Sequence, residues 1–192
     1  MIIVGITGSI GCGKTYLAGL IKSLGFCVYN PDFWVRDLYT NSSFLKVIEN
    51  NFPQVFENGV FNKRRLRNLV FSDNKQLQKL ESFIHPFLRK KLKSVIHKLA
   101  QKEDFLFLDV ALLFEMEWQK YCDYVIVADA DEQTQKQRVM KRDNITADDF
   151  NKITVIQMLQ KHKKELADYV IDTVLPDGIN KVQIIKFIEE IA

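Results

Sequence analysis

The first 24 residues carry the feature that most constrains the fold, an apolar segment that leads into a glycine-rich loop and then into a helix. Ile2–Ile6 is a run rich in β-branched residues, which predicts a buried strand. Gly8–Thr15 fits the spacing G-x-x-x-x-G-K-[ST]. Apolar residues then recur at helical spacing as far as Leu24. This order of strand, loop and helix is the context in which the glycine pattern forms a phosphate-binding loop.

The residue types in this loop suit the binding of a nucleoside triphosphate. Glycines let backbone N–H groups converge on phosphate oxygens, and the following helix adds the positive end of its dipole. Lys14 is expected to reach the β- and γ-phosphates, and the Thr15 hydroxyl to bind Mg²⁺. The alternative, a glycine-rich turn that binds nothing, leaves Lys14 without a structural role. The residues expected to bind ATP are Gly8, Gly11, Cys12, Gly13, Lys14, Thr15 and Tyr16.

The length and composition predict one domain, residues 1–192, in the cytoplasm. No apolar run approaches the ~20 residues of a membrane span, and the apolar first residues lack the basic region and cleavage site of a signal peptide. The three cysteines are scattered without metal-ligand spacing, which favours reduced thiols. Cys12, inside the glycine loop, is either open to thiol reagents or an inert small residue.

The basic residues are concentrated in one segment. Residues 60–103 hold twelve Lys and Arg against three Asp and Glu, a balance of +9, while the rest of the chain balances at −6. Such a segment suits an anionic partner, either nucleic acid or a phosphorylated small molecule. A solvated helical face is the alternative for most of these side chains taken singly.

Four further apolar runs predict strands separated by helical periodicity. They lack alternation, as strands buried on both faces do, and they lie at 26–29, 105–108, 124–128 and 169–171. The sequence therefore predicts an α/β fold with a doubly wound, five-stranded parallel sheet.

The rest of the chain is predicted to form two helical additions to this core. A helical substrate-binding insertion is expected over 33–103, without strands and with a break or kink at His85-Pro86. A helical lid is expected over 138–167. The core then comprises 1–32, 104–137 and 168–192.

Two carboxylates follow predicted strands. Asp32 comes after the second strand and Asp109 ends the third. Because ligands gather at the carboxyl ends of strands in open α/β sheets, both are expected to face the phosphates, with Asp109 as a Mg²⁺ ligand. Local sequence also permits Asp32 to be the N-cap of a helix that begins at Phe33.

The lid carries candidate phosphate-binding cations. Arg138 and Arg142 are four residues apart and share a helical face. After a break at Asp143-Asn144, a second helix is expected that contains Ile153, Ile156 and Leu159. This helix is expected to carry more lysines: Lys152, Lys161, Lys163 and Lys164. Lids exclude water and supply cations to the transferring phosphoryl group. For both arginines, plain exposure to solvent is the alternative.

The ordered motifs fit a small kinase. No Asn-Lys pair continues into the N-K-x-D segment that reads guanine, and a motor or large ATPase needs a longer chain. The set resembles the dephospho-coenzyme A kinase family over nearly the whole chain. Similar to that family are the glycine loop, Asn30-Pro31-Asp32, His85-Pro86, Val110–Glu115, Gln137-Arg138, Arg142-Asp143 and Ala167–Asp172. Asn30 stands where the family has Asp, Ala111 where it has Pro, and Thr173 where Asn is common.

The resemblance implies transfer of the ATP γ-phosphate to the ribose 3′-hydroxyl of dephospho-coenzyme A, the last step of coenzyme A synthesis. Asp32 would orient or deprotonate that hydroxyl, while Lys14, Mg²⁺, Arg138 and Arg142 would stabilise the phosphoryl charge. The residues expected to bind the substrate are Asp32, His85, Arg64, Arg65, Leu113 and Glu115. No nucleic acid or membrane partner is expected, and the chain is expected to be a monomer or weak homo-oligomer. For His85, a bond to the backbone at a helix break is the alternative.

Two other functions remain open at the level of sequence. A kinase for a nucleoside or nucleotide shares the phosphate loop, and ATP consumption with each acceptor separates the two activities. A non-catalytic nucleic-acid-binding module would use residues 60–103, bind in a salt-dependent manner and keep its function after Lys14→Ala. That module leaves the phosphate loop unexplained.

Overall fold

The computed structural model describes the backbone of residues 1–192 and every side chain except those of Phe71, Asn74 and Ile156. The chain forms two compact units. The first contains Met1–Asn30 and Leu99–Ala192, and the second contains Pro31–Lys98. Among the described residues, no helix combines the length and the apolar character that crossing a bilayer requires.

The regular elements follow one another along the chain in this order: β1 (Ile2–Thr7), α1 (Lys14–Ser23), β2 (Cys27–Tyr29), α2 (Pro31–Leu38), α3 (Ser42–Asn51), β3 (Phe56–Glu57), β4 (Val60–Phe61), α4 (Lys63–Ser72), α5 (Asn74–Leu99), β5 (Phe105–Asp109), β6 (Tyr124–Asp129), α6 (Glu132–Asp143), α7 (Ala147–Ile156), α8 (Gln160–Glu165), β7 (Tyr169–Asp172) and α9 (Asp177–Ile191). Two short 3₁₀ helices lie at Pro53–Val55 and Trp118–Tyr121.

The first unit is built on a parallel sheet of five strands in the order β2-β5-β1-β6-β7, which confirms the predicted fold. Strand β1 lies at its centre, between β5 and β6, with Ile6 paired to Asp109 in the register. The glycine loop therefore leaves the sheet at the middle of its carboxyl edge, where ligands of such sheets bind.

Apolar side chains from both sides of this sheet form the core of the first unit. Phe107 and Leu108, successive residues of β5 that point to opposite faces, have no exposed surface, as expected for strands covered on both faces. Leu17 and Ile21 from α1 and Ile184 from α9 belong to the same cluster. The helix that carries the phosphate loop is thus fixed by burial of its apolar side.

The second unit contains α2 to α4, most of α5 and a small antiparallel hairpin, so the prediction of a strand-free insertion is wrong. Strands β3 and β4 pair Phe56 with Phe61 across a turn at Asn58-Gly59. Asn58 and Gly59 both have positive φ, 50° and 76°, as a tight two-residue hairpin turn requires. Each strand has only two residues, which is too short to show a period.

A break or a kink was predicted at His85-Pro86; helix α5 continues through these residues, so the break is wrong. Pro86 removes one backbone donor from the helix. Ile84 and Leu88, on either side of it, are both buried, and this burial stabilises the helix across the proline.

Two other local predictions differ from the structure. Helix α2 begins at Pro31, so Asp32 lies in its first turn and is not an N-cap before Phe33. The helix predicted to extend to Leu159 ends at Ile156, and Gln157 is extended with φ −92° and ψ 151°. A separate helix, α8, then begins at Gln160.

Candidate active site

The phosphate loop has the backbone shape that its glycines predict. Gly11 and Gly13 have φ of 81° and 88°, in the left-handed region that disfavours a side chain. A Cβ at Gly11 would lie 2.5 Å from the carbonyl oxygen of Gln135, and one at Gly13 would lie 2.5 Å from Thr173 Oγ1. The loop is thus held closely against α6 and the end of β7.

A cavity of about 670 Å³ opens over this loop. Its walls include Lys14, Thr15, Arg138 and Arg142, so the structure brings the loop and both lid arginines to one place. The first N–H groups of α1 have no carbonyl partners within the helix, which leaves them available to an anion. The cavity therefore has the shape and the donors of a nucleotide phosphate site.

Lys14 and Asp109 form an ion pair at the floor of the site. Lys14 Nζ is bonded to Asp109 Oδ1, and the two side chains are 14% and 9% exposed. Asn30 Nδ2 donates to Asp109 Oδ2 at 2.9 Å. An aspartate at position 30 would set two carboxylates against each other, whereas the asparagine donates a hydrogen bond.

The oxygen donors near the loop fit a Mg²⁺ ion held mainly by a nucleotide. Thr15 lines the cavity, and Asp109 is paired with Lys14, which also lines the cavity. Among the residues whose side chains are described, no three His, Cys, Asp or Glu residues form a metal-binding group. A site with a hydroxyl and one carboxylate is typical of Mg²⁺ that also binds substrate phosphates and water.

Arg138 is fixed in place by the end of β7. Its guanidinium donates to Thr173 Oγ1 at 2.8 Å and to the Thr173 carbonyl at 3.0 Å, with a longer contact of 3.4 Å to the Gly11 carbonyl. The Thr173 hydroxyl lies 2.7 Å from the carbonyl oxygen of Cys12. Thr173 thus connects the arginine to the phosphate loop.

Among the side chains that the structure describes, Arg142 is hydrogen-bonded to that of its neighbour in sequence, Asp143. Its Nε and one terminal nitrogen donate to the two carboxylate oxygens of Asp143 at 2.8 and 2.7 Å. This hydrogen bonding raises the pKa of Arg142 and lowers the pKa of Asp143. Exposed pairs of this kind contribute little to stability, so Arg142 can exchange its partner for a phosphate at small cost.

The lysines of the lid do not face the cavity as a group, contrary to expectation. Lys163 is fully buried and pairs with Glu115 Oε1 at 2.9 Å, while it also donates to the Ala111 carbonyl. Lys164 pairs with Asp129. Lys152 and Lys161 pair with acidic neighbours on their own helices. Lys163 and Lys164 therefore connect α8 to the loop after β5 and to β6, whereas the exposed pairs of Lys152 and Lys161 contribute little.

The two substrate residues expected in the loop after β5 have other roles in this structure. Leu113 has no exposed surface, and its side chain fills the space beside Gly5, so its expected contact with substrate has no support. Glu115 Oε1 accepts a hydrogen bond from the backbone N–H of Met158 at 2.8 Å and also forms the ion pair with Lys163. Glu115 thus anchors the segment between α7 and α8.

Two glutamines that the sequence analysis did not single out bind the first residues of the glycine loop. Gln160 Oε1 accepts the N–H of Ser9 at 2.9 Å, and Gln157 Oε1 accepts the N–H of Ile10 at 2.8 Å. Neither glutamine carried a signal in the sequence, because a contact between residues about 150 positions apart leaves no local pattern.

Cys12 is inert despite its position in the loop. Its side chain has no exposed surface and belongs to the core of the first unit. Burial raises the pKa of the Cys12 thiol to about 11, so almost no thiolate forms near neutral pH. Cys12 is therefore a packing residue, and all three cysteines are free thiols.

The remaining candidates lie in the second unit. Arg64 is exposed and borders a cleft of about 430 Å³ whose apolar part includes Leu66 and Val70. Arg65 pairs with Glu57, which is also exposed. Among the described residues, His85 Nε2 is buried without a hydrogen-bond partner. The backbone-bonded alternative for that nitrogen is therefore not observed.

Comparison with known proteins gives one consistent family. The profile of the dephospho-CoA kinase family matches residues 2–175. The chain is similar to a dephospho-CoA kinase from Bartonella henselae, with 39% identity over 90% of this chain and 89% of that one.

Solved structures agree with the sequence relatives. A crystal structure of a Thermus thermophilus protein superposes with a TM-score of 0.89 at 28% identity, covering 98% of this chain and 96% of that one. A dephospho-CoA kinase from Campylobacter jejuni gives a TM-score of 0.68 at 25% identity with the same coverage. On its sequence, its fold and the phosphate site at the end of β1, the chain belongs to the dephospho-CoA kinase family.

Proposed function

We propose that this chain transfers the γ-phosphate of ATP to the ribose 3′-hydroxyl of dephospho-coenzyme A, the last step of coenzyme A synthesis. The observation that carries the proposal is the cavity over the glycine loop, where Lys14, Arg138 and Arg142 meet in a chain of this family. Phosphoryl transfer requires positioning and charge stabilisation more than covalent chemistry from the protein. The site supplies both.

ATP is the donor, and the loop binds its phosphates through Gly8, Gly11, Cys12, Gly13, Lys14, Thr15 and Tyr16. Cys12 takes part through its backbone, since its side chain faces the core. Lys14 neutralises charge on the β- and γ-phosphates once ATP displaces part of its interaction with Asp109. The pairing of Lys14 with Asp109 supports this role, because it fixes the ammonium group at the loop before ATP arrives.

Mg²⁺ is proposed to be held by Thr15 and Asp109 together with the phosphates. The ion supplies charge neutralisation on the phosphate oxygens when bound. Asn30 keeps Asp109 oriented through its hydrogen bond to Oδ2.

Asp32 is proposed to orient the 3′-hydroxyl and to accept its proton. The new bond joins the 3′-oxygen to the γ-phosphorus, the bond from that phosphorus to the β,γ-bridging oxygen breaks, and ADP leaves with the bond electrons. The support for Asp32 is the match of Asn30-Pro31-Asp32 to the family motif and its exposed position in the first turn of α2. Positioning of the hydroxyl is the larger part of this role.

The acceptor's pyrophosphate is proposed to bind the basic second unit. Arg64 at the edge of its cleft offers a bidentate donor, and Arg65 offers another after exchange with Glu57. His85 Nε2, which has no partner among the described residues, is a further candidate contact. A phosphorylated acceptor gives the +9 balance of 60–103 a purpose without nucleic acid. Glu115 is proposed to act indirectly, through the lid segment.

Residues 138–167 are proposed to act as the lid, within a single kinase domain of residues 1–192. Arg138 and Arg142 carry the lid's charge toward the phosphates, and closure would exclude water from the transferring group. Because the cysteines are free thiols, we place the enzyme in the cytoplasm. A monomer or weak homo-oligomer is proposed.

A substrate panel tests the proposed acceptor. ATP consumption is measured with Mg²⁺ and dephospho-coenzyme A, and separately with nucleosides, nucleotides and no acceptor. The proposal predicts turnover with dephospho-coenzyme A well above the others. Turnover with nucleosides or nucleotides alone would assign the chain to the alternative kinase activity. Salt-dependent nucleic-acid binding that survives Lys14→Ala, without any transfer, would assign it to a binding module.

A further inference from the structure

We propose that Gln157 is a phosphate-binding residue of the ATP site, donating its side-chain N–H groups to the bound triphosphate. The inference rests on the proposed binding of ATP at the glycine loop, but not on which acceptor is phosphorylated. Gln157 borders the same cavity as Lys14 and Arg138. Its side chain is attached directly to the loop, since Oε1 accepts the N–H of Ile10 at 2.8 Å.

That hydrogen bond determines the orientation of the amide. A backbone N–H needs an acceptor, so the oxygen of Gln157 must face Ile10 and its NH₂ group must face away. Among the hydrogen bonds of the described residues, none involves Gln157 Nε2. Two oriented donors are therefore left at the wall of a cavity that Lys14, Arg138 and Arg142 also line.

Gln160 shows what a purely structural glutamine looks like at this loop. Its Oε1 accepts the neighbouring N–H of Ser9 at 2.9 Å. Its Nε2, however, is bonded to the Ala128 carbonyl at 2.9 Å and to Asp129 Oδ1 at 3.0 Å. Both the oxygen and the nitrogen of the Gln160 amide are thus hydrogen-bonded within the protein. Among the described residues, only the oxygen of the Gln157 amide is hydrogen-bonded, and its nitrogen is available to a ligand.

The backbone around Gln157 is held firmly enough to position its side chain. The N–H of Met158, the next residue, donates to Glu115 Oε1 at 2.8 Å, and Glu115 pairs with the fully buried Lys163. This anchor explains why the chain leaves its helical conformation at Ile156 and is extended at Gln157. Donors held in place before the ligand binds lose little entropy on binding, which makes them effective at a phosphate.

The decisive variant is Gln157→Glu, with Gln160→Glu as its matched control. Both keep an oxygen for the loop N–H, and both add one negative charge at the same loop. Only Gln157→Glu removes donors from the cavity. We expect Gln157→Glu to weaken binding of the ATP analogue AMP-PNP about 10- to 100-fold, the value of one hydrogen bond to a charged group. Gln160→Glu should weaken it several-fold less, and adenosine binding should not distinguish the variants.

A direct readout uses the side-chain amide itself. In ¹⁵N-labelled protein, the NH₂ signal that is missing in Gln157→Glu identifies Gln157. On addition of AMP-PNP this signal should shift downfield, while the Gln160 signal moves little and adenosine shifts neither. If Gln160→Glu proves unstable, the wild-type spectrum alone decides. An unmoved Gln157 signal, or equal loss of AMP-PNP affinity in both variants, would overturn the inference. Since only analogue binding is measured, a wrong acceptor assignment does not affect the result.

Discussion

The two compact units hold their functional charges in different ways. In the first unit, Lys14 is paired with Asp109 and mostly buried, and Arg138 is bonded to Thr173. In the second, Arg64 is exposed at a cleft, and Arg65 pairs with Glu57 while both side chains are about half exposed. The proposed phosphate site is therefore ordered before ATP binds, whereas the cations of the proposed acceptor region are exposed and can rearrange around a ligand.

This difference separates two sources of specificity. A loop with fixed amides and paired charges recognises a feature shared by all nucleoside triphosphates. An exposed cluster of cations discriminates weakly by itself and depends on where the rest of the acceptor is held. We therefore expect changes in the second unit to alter acceptor use while ATP binding stays intact.

The largest expected effect tests that separation at Asp32. Asp32→Asn should lower kcat about 10²- to 10⁴-fold, the usual contribution of an acid–base group, while the dissociation constant of ATP stays within twofold. Asp37→Asn, an exposed carboxylate on the same helix, is the control and should keep normal turnover. Near-normal kcat for Asp32→Asn would show that Asp32 has no role in catalysis. The expected separation between acceptor use and ATP binding would then lose its support from this residue.

The buried pair beneath the lid segment is the next test. Lys163→Met should lower the free energy of unfolding by about 3–5 kcal/mol, because it leaves Glu115 as a largely buried, unpaired charge. The control is Lys161→Met, which removes a lysine that is 84% exposed. This variant should change the free energy of unfolding by less than about 0.5 kcal/mol. Urea denaturation measures both. Equal stability of the two variants would mean that the pair does not hold this segment.

The pH dependence of the free energy of unfolding tests whether the Cys12 thiol is buried. Its pKa is about 11 in the fold against 9.0 for the unfolded thiol, so folding favours the protonated form. The resulting stabilisation is complete below pH 9 and is lost as pH rises through 11, a difference of about 2–3 kcal/mol.

The comparison variant for this pH effect is Cys12→Ala. It should be less stable at pH 8 because of the lost core volume, yet show a shallower fall in unfolding free energy between pH 9 and 11. Wild type should also resist iodoacetamide at Cys12 at pH 7.5. Rapid alkylation of that thiol, or identical pH slopes, would contradict the buried position.

The smallest expected effect tests whether an exposed cation of the second unit affects acceptor binding and leaves ATP binding unchanged. Arg64→Ala should raise the KM for dephospho-coenzyme A about tenfold, as expected for one lost charged hydrogen bond, with the KM for ATP unchanged. Lys75→Ala changes another exposed cation of the second unit and should leave both constants unaltered. A rise in the KM for ATP instead would show that the cation serves the donor.

The sequence predicted the sheet because each of its strands is a continuous apolar run, and it predicted the phosphate loop because the loop's function is local. The sequence did not predict the features that depend on contacts between residues far apart in the chain. Lys163 was interpreted as one of the cations of the lid, but it is buried and paired with Glu115, which is far away in sequence.

The same limit applies to local structure and to the glutamines. Pro86 is a helix breaker by propensity, but burial on both sides of it keeps α5 continuous. Gln157 and Gln160 carried no signal, since their partners Ile10 and Ser9 lie about 150 residues away. The roles of Arg64 and Arg65 stay predictions, because an exposed cation is compatible with several ligands. The role of His85 also stays a prediction, because its buried Nε2 has no partner among the described residues.

The most direct test of the account is identification of the product. The protein is incubated with ATP, Mg²⁺ and dephospho-coenzyme A, and the product is examined by mass spectrometry and by ³¹P NMR, with Lys14→Ala in parallel. The account predicts one new phosphomonoester on the ribose 3′-oxygen, formed together with ADP, and at least about 100-fold less of it with Lys14→Ala. No added phosphate, phosphate at another position, or undiminished transfer by Lys14→Ala would contradict it.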